Sequence, residues 1–223
     1  MYTVLLDFNG TLFFDTAFHM EAWSEIYREL HPEAAAPLDP RMICGPRNEV
    51  ILQKLAPWLS PEQNRRYSER KEELYRGVCR RNPADVHLVT GAETFLQTLQ
   101  QKGVPFALAS ASIAANVDFY FECFPLGKYL KKEDVVYDDG TYPDKGAMHL
   151  EAARRRNVPF SRCLVIEDSL TAITLAKKNG AGRIIAIGEK PQAPELLAAG
   201  AERYIHDFSE FDLAWLDDRT LVP

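Results

Sequence analysis

Four short runs of almost unbroken apolar residues govern what this chain can fold into: TVLLDF at 3 to 8, PFALAS at 105 to 110, CLVIED at 163 to 168 and RIIAIG at 183 to 188. A strand with one wet face alternates apolar and polar residues, whereas strands covered on both faces do not, and that is the condition of a parallel sheet between helices. The segments between the runs switch to helical spacing. AETFLQTLQQKG sets Phe95, Leu96 and Leu99 on one face with Gly103 just past its end, and SLTAITLAKKNG closes in the same way at Gly180. The alternation predicts an α/β core, a doubly wound, Rossmann-like parallel sheet.

One stretch departs from the alternation. From about residue 15 to 85 every periodic segment reads as helix: AFHMEAWSEIYREL carries Phe18, Ala22, Trp23, Ile26, Tyr27 and Leu30 at helical spacing. SPEQNRRYSERKEELYRGVCRR opens with Ser60 as N-cap and Pro61 at the first helical position. The expected organisation is therefore a core of residues 1–14 and 86–223 and a helical insert of 15–85, with RNPADVHLVTG as the return linker. Trp23 fits the apolar stripe and is expected to pack. Lys71 lies in a run of charges and is expected on a solvated face.

Composition narrows the partners. With 223 residues, 46% of them hydrophobic, the chain can bury a full core. Its formal charge of -6, with basic residues scattered, leaves no electrostatic footprint for nucleic acid or an anionic membrane. No apolar run approaches a membrane span and the N-terminus lacks a basic leader, so the reading is a cytoplasmic protein without signal peptide. Cys44, Cys79, Cys123 and Cys163 show no CxxC spacing and are expected as buried free thiols.

In open α/β sheets ligands sit beyond the carboxyl ends of the strands, so the polar residue that ends each apolar run is a site candidate. Asp7, Ser110 and the pair Glu167–Asp168 end three of the runs, and Lys145 follows in the loop DDGTYPDKG. Carboxylates on neighbouring strand ends suit a hard cation such as Mg²⁺. A lysine and a hydroxyl beside them would neutralise and orient a phosphoryl group.

In this order, DFNGTL…SAS…K…EDS resembles the haloacid dehalogenase superfamily, in its β-phosphoglucomutase-like branch with a helical cap after the first strand. The resemblance implies that Asp7 is a nucleophile forming an aspartyl-phosphate, that Gly10 permits a tight loop, and that Thr11 hydrogen-bonds near the phosphate. It implies that Ser110, with Ala111 and Ser112, binds phosphoryl oxygens and that Lys145 balances charge. Mg²⁺ would be held by Asp7, Glu167, Asp168 and the main-chain carbonyl of Asn9. In the insert, His19 and Arg47 of CGPRNE would contact substrate.

Two departures from the family pattern stand out. Residue 9 is Asn where phosphatases and mutases of the family carry an acid–base Asp, and the usual KPxP reads YPDKG, which moves the lysine about two residues along. The expected function is a Mg²⁺-dependent phosphohydrolase acting on a small phosphorylated metabolite, with sugar phosphates the leading class. The alternatives are a phosphomutase, disfavoured by Asn9, and a slow or non-catalytic phosphate-ligand binder. Carbon–halogen or carbon–phosphorus cleavage is disfavoured by the acidic pair and by the want of an identifiable imine-forming lysine in the insert.

Overall fold

The apolar runs become neighbours in a single sheet. In the computed structural model, which describes residues 1–43, 47–188 and 190–217, six parallel strands lie in the order β3-β2-β1-β4-β5-β6. They are β1 (Thr3–Leu6), β2 (Phe106–Ile113), β3 (Val135–Asp138), β4 (Cys163–Glu167), β5 (Arg183–Ile187) and β6 (Arg203–Ile205). β1, β4 and β5 are buried at every position, as strands covered on both faces must be. The two edge strands, β3 and β6, are short and carry no apolar run long enough to announce them.

Helices α4 (Ala92–Gln101), α5 (Ala114–Cys123), α6 (Lys145–Arg155), α7 (Leu170–Lys178) and α8 (Ala193–Ala199) connect these strands. Gly103 and Gly180 follow α4 and α7 with φ of 64° and 80°, the left-handed conformation that stops a helix. Ala152, Ala153, Ile173 and Ala176 from α6 and α7 pack with Leu5, Val165, Ile184 and Ala186 of the sheet. One strand departs from expectation. β2 does not end at Ser110 but continues to Ile113, and its pairing with β3 shifts register between Ala109 and Ile113. Ser110 therefore lies inside the strand, where the irregularity re-aims it, as bulges do beside functional sites.

By packing, the chain divides into residues 1–14 with those from 87 onward, and residues 15–86. The second unit is helical: α1 (Thr16–Leu30), α2 (Asn48–Leu55) and α3 (Pro61–Arg81). Ser60 caps α3 with a reciprocal capping box to Gln63, with Pro61 behind it. Trp23 and Ile26 pack with Leu38, Ile51, Leu52 and Leu55, so Trp23 is a core residue. The thiols of Cys79 and Cys163 are buried, but Cys123, the last residue of α5, is exposed; Cys44 lies outside the described residues. Among the described residues no helix is long and apolar enough to cross a membrane.

The first unit is closed by a tight approach at Gly91, which precedes α4 with φ of 78°. A Cβ there would lie 2.7 Å from the main-chain nitrogen of Ser209. Gly91→Ala combines left-handed strain with this collision and should destabilise the protein by about 2 kcal/mol or more in urea unfolding; an unchanged midpoint would show that the 208–209 segment yields at no cost.

Candidate active site

β1 lies between β2 and β4, with Leu6 paired to Leu108 on one side and Ile166 on the other. The residue that follows it, Asp7, thus emerges at the middle of the sheet, its main-chain N–H donating to Ile166 O at 3.2 Å. The chain then folds into a knot of hydrogen bonds: Phe8 O accepts from the N–H groups of Thr11, Leu12 and Phe13 at 3.2, 2.8 and 3.0 Å. Gly10 turns this loop with φ of 71°, and any Cβ on it would fall 2.1 Å from Asp168 Oδ2. Glycine is required here twice over, by conformation and by the carboxylate against it.

α6 begins at Lys145, after Asp144, whose side chain caps the helix by accepting from Ala147 N. Lys145 Nζ lies 2.5 Å from Asp7 Oδ1 and 3.2 Å from Glu167 Oε1. The lysine displaced in sequence is therefore brought to the nucleophile candidate by its place on the first turn. One turn on, His149 sets Nε2 3.2 Å from the same Glu167 oxygen, both side chains being wholly buried. Neither His149 nor its link to Glu167 carries a motif that could have flagged it.

Burial dominates the electrostatics. It pushes the Asp7 carboxyl up to about 7, with Glu167 adding to the rise and Lys145 opposing it. Burial also penalises the Glu167 charge, but Lys145 and His149 outweigh it and hold Glu167 below the usual carboxylate range. Lys145 is held above its ordinary value, because Asp7 and Glu167 overcome its own desolvation, and His149 is held below its own value by burial.

Ligand oxygens of Asp7, Glu167 and Asp168 lie within 4.8 Å of one another. Glu167 Oε2 is buried without a hydrogen-bond partner, and the donor set is all carboxylate. These residues fit a hard divalent cation.

The other side of the loop is lined by hydroxyls. Asn9 Oδ1 accepts from Ser112 Oγ at 2.7 Å and more distantly from Ser110 Oγ at 3.4 Å, and the carboxamide faces Tyr120 Oη, which lies 3.0 Å from Oδ1 and accepts from Nδ2 at 2.8 Å. Tyr120, on α5, stacks on Phe8 with ring centroids 4.0 Å apart. No motif marks its stretch of sequence as part of a site. Ser110 and Thr11 are buried, Thr11 Oγ1 without a hydrogen-bond partner, and Ala111 is exposed.

In the second unit, Arg47 precedes α2 in extended conformation and is exposed. His19 belongs to a chain of polar groups: Nε2 lies 3.1 Å from Asp15 Oδ2 and Nδ1 2.7 Å from Lys71 Nζ, while its ring stacks on Tyr75 at 4.0 Å. Both ring nitrogens are thus engaged. Lys71 corrects the expectation of a solvated charge: it is 3% exposed and 2.8 Å from Glu72 Oε1, which also accepts from Asn48 Nδ2 at 2.6 Å. The buried positions 68, 71, 72, 75, 78 and 79 form one face of α3, so helical spacing carries Lys71 inward despite its charged neighbours. Against the cost of burial, Lys71 and His19 pull the Glu72 carboxyl down to about 2.

Two predictions follow from these buried charges. The folded-state rise at Asp7, from 3.8 to about 7, contributes stability that is complete below about pH 4 and is lost as pH rises through about 7. His149, lowered by burial, contributes in the opposite sense. In metal-free protein the melting temperature of wild type relative to Asp7→Asn should therefore fall between pH 5 and 8; a constant difference would refute the raised Asp7. Lys71→Met should cost about 3 kcal/mol or more in urea unfolding, since it strands Glu72; a loss below about 1 kcal/mol, the scale of an exposed pair, would return Lys71 to the surface.

A family model described as haloacid dehalogenase-like hydrolase matches residues 1–180. Among solved structures, a family IA variant 3 hydrolase of the same superfamily from Entamoeba histolytica is 29% identical, with TM-score 0.88 over 97% of each chain. CbbY from Rhodobacter sphaeroides, solved in complex with phosphate, is 21% identical, with TM-score 0.79 over 97% of this chain and 100% of that one, a likeness of fold. A bifunctional riboflavin kinase/FMN phosphatase from Arabidopsis thaliana is 33% identical over 119 residues, 50% of this chain and 30% of that protein, so the match spans less than a third of the relative's length. With the family model spanning the strands that carry Asp7, Ser110, Glu167 and Asp168, the chain belongs to the haloacid dehalogenase-like hydrolases.

Proposed function

We propose that the protein is a Mg²⁺-dependent phosphohydrolase that cleaves a small phosphorylated metabolite through an aspartyl-phosphate on Asp7. The observation that carries this reading is the buried Asp7 carboxylate at the centre of the sheet, with Lys145 Nζ 2.5 Å away and two further carboxylates within 4.8 Å. Asp7 attacks phosphorus in line, Lys145 balances charge on the transferring group, and Ser110, Thr11 and the main chain at Ala111 hold its oxygens. Asp7, Glu167, Asp168 and the Asn9 carbonyl would hold Mg²⁺, which supplies charge neutralisation at the phosphoryl oxygens. Arg47 and His19 are assigned to substrate recognition; for His19 this requires release of Lys71 or Asp15 from its ring.

Hydrolysis is preferred to a phosphomutase reaction, because a mutase uses one acid–base group twice and the Asn9 carboxamide has no proton to exchange.

The test is a panel of phosphorylated metabolites assayed with Mg²⁺ and with chelator, reading both phosphate and isomerised product. Phosphate release should require Mg²⁺ and fall to background in Asp7→Asn. Isomer without net phosphate would replace the hydrolase by a mutase, and full activity in Asp7→Asn would remove the nucleophile.

A further inference from the structure

The contacts of Asn9 close into a ring. Ser112 Oγ donates to Asn9 Oδ1 at 2.7 Å, Asn9 Nδ2 donates to Tyr120 Oη at 2.8 Å, and Tyr120 Oη lies 2.9 Å from Ser112 Oγ. With the tyrosine proton directed to Ser112, each hydroxyl in the ring donates once and accepts once, and the carboxamide does both. A carboxylate at position 9 could only accept, so Tyr120 Oη, 3.0 Å from Oδ1, would turn its proton from Ser112 to residue 9 and the ring would open. The closed ring, with residue 9 as a donor, thus needs an amide. It is also anchored: Tyr120 is buried and stacked on Phe8, and Ser112 N donates to Ser110 Oγ at 3.3 Å within the irregular end of β2. The Asn9 side chain is therefore held in place by its surroundings.

Resting on the phosphohydrolase reading, we infer that the Asn9–Ser112–Tyr120 ring fixes residue 9 as a hydrogen-bond donor two residues beyond the nucleophile, and so directs the site to phosphates whose leaving oxygen departs as a stable anion. Acyl phosphates and phosphates of acidic hydroxyls belong to that class; alkyl phosphates, sugar phosphates among them, do not. In the step concerned an Asp7 carboxylate oxygen forms its bond to phosphorus as the bond from phosphorus to the leaving oxygen breaks. The leaving oxygen keeps that electron pair and departs as an anion, hydrogen-bonded by the carboxamide without receiving its proton. Water then hydrolyses the aspartyl-phosphate, giving inorganic phosphate and a proton to solvent. A donor of this kind stabilises developing charge only if it is held in place beforehand. Tyr120 and Ser112 are the positioning residues that hold it.

The experiment measures kcat and KM on acetyl phosphate, 4-nitrophenyl phosphate, phenyl phosphate and glycerol phosphate with Mg²⁺, for wild type, Asn9→Asp, Tyr120→Phe and Ser112→Ala. Wild type should lose rate steeply as the leaving group becomes more basic. Asn9→Asp should raise the glycerol phosphate rate by about 10-fold or more, as general acid catalysis would, while changing the acetyl phosphate rate much less. Tyr120→Phe and Ser112→Ala should each lower kcat on the activated substrates by about 10-fold with KM unchanged, the mark of lost positioning. Melting temperatures accompany each variant, and Ser112→Ala decides the matter if Tyr120→Phe does not fold. A leaving-group dependence equal in wild type and Asn9→Asp overturns the inference, as does unchanged kcat in folded variants of the ring. Silence of both wild type and Asn9→Asp on every substrate overturns instead the phosphohydrolase reading beneath it.

Discussion

Burial of two carboxylates against one lysine is the constraint around which the sheet's active end is arranged. Asp7 and Glu167 leave adjacent parallel strands, and both are taken out of water. Two like charges so placed would repel at low dielectric, and neither could stay ionised without a countercharge. Lys145 provides it from the first turn of α6, bridging both at 2.5 and 3.2 Å. A buried ion pair of this kind is no cheap source of stability, since desolvation consumes much of the Coulombic gain. What Lys145 does here is oppose the protonation of Asp7 that burial favours.

Two kinds of polar network meet at the Asp7 loop. On one side stand charges, with His149 buried behind Glu167 and 3.2 Å from it. On the other stands a neutral ring, in which an amide and two hydroxyls satisfy one another. Gly10 separates them, its missing Cβ giving Asp168 room. The division is chemical: the charged side gathers carboxylates around a lysine, and the neutral side offers an amide donor without a labile proton. The second unit closes its own buried charges into a chain from Asn48 through Glu72, Lys71 and His19 to Asp15, which accepts from Tyr75 as well. Buried polar groups left open would be costly, and both units avoid that by closing the network.

The parts of the molecule legible in the sequence are those written in periodicity and in short-range stereochemistry. Unbroken apolar runs announced β1, β4 and β5, because full burial leaves no room for alternation, and glycines after α4 and α7 announced where those helices stop. Ser60 and Pro61 marked the start of α3 for equally local reasons. Asp7, Glu167 and Asp168 were legible as residues at strand ends. Lys145 could be picked out although displaced in its motif, since a long side chain on the first turn of a helix has the reach to arrive.

What only the tertiary structure decided is which polar groups share a desolvated space. Lys71 sits among charges in sequence, yet the face of α3 that carries Tyr75 and Val78 takes it inside. Ser110 appeared to end its strand, but the pairing of β2 with β3 shifts and carries the strand on to Ile113, which brings Ser112 to Asn9. Tyr120 and His149 come from helices with no motif and reach their partners across 111 and 18 residues of chain, respectively. Sequence determined that residue 9 is an amide with no proton to give. Whether that amide hangs loose or is held was settled by β2 and α5 meeting around it, because a hydrogen-bond ring depends on distances in space that no local pattern records.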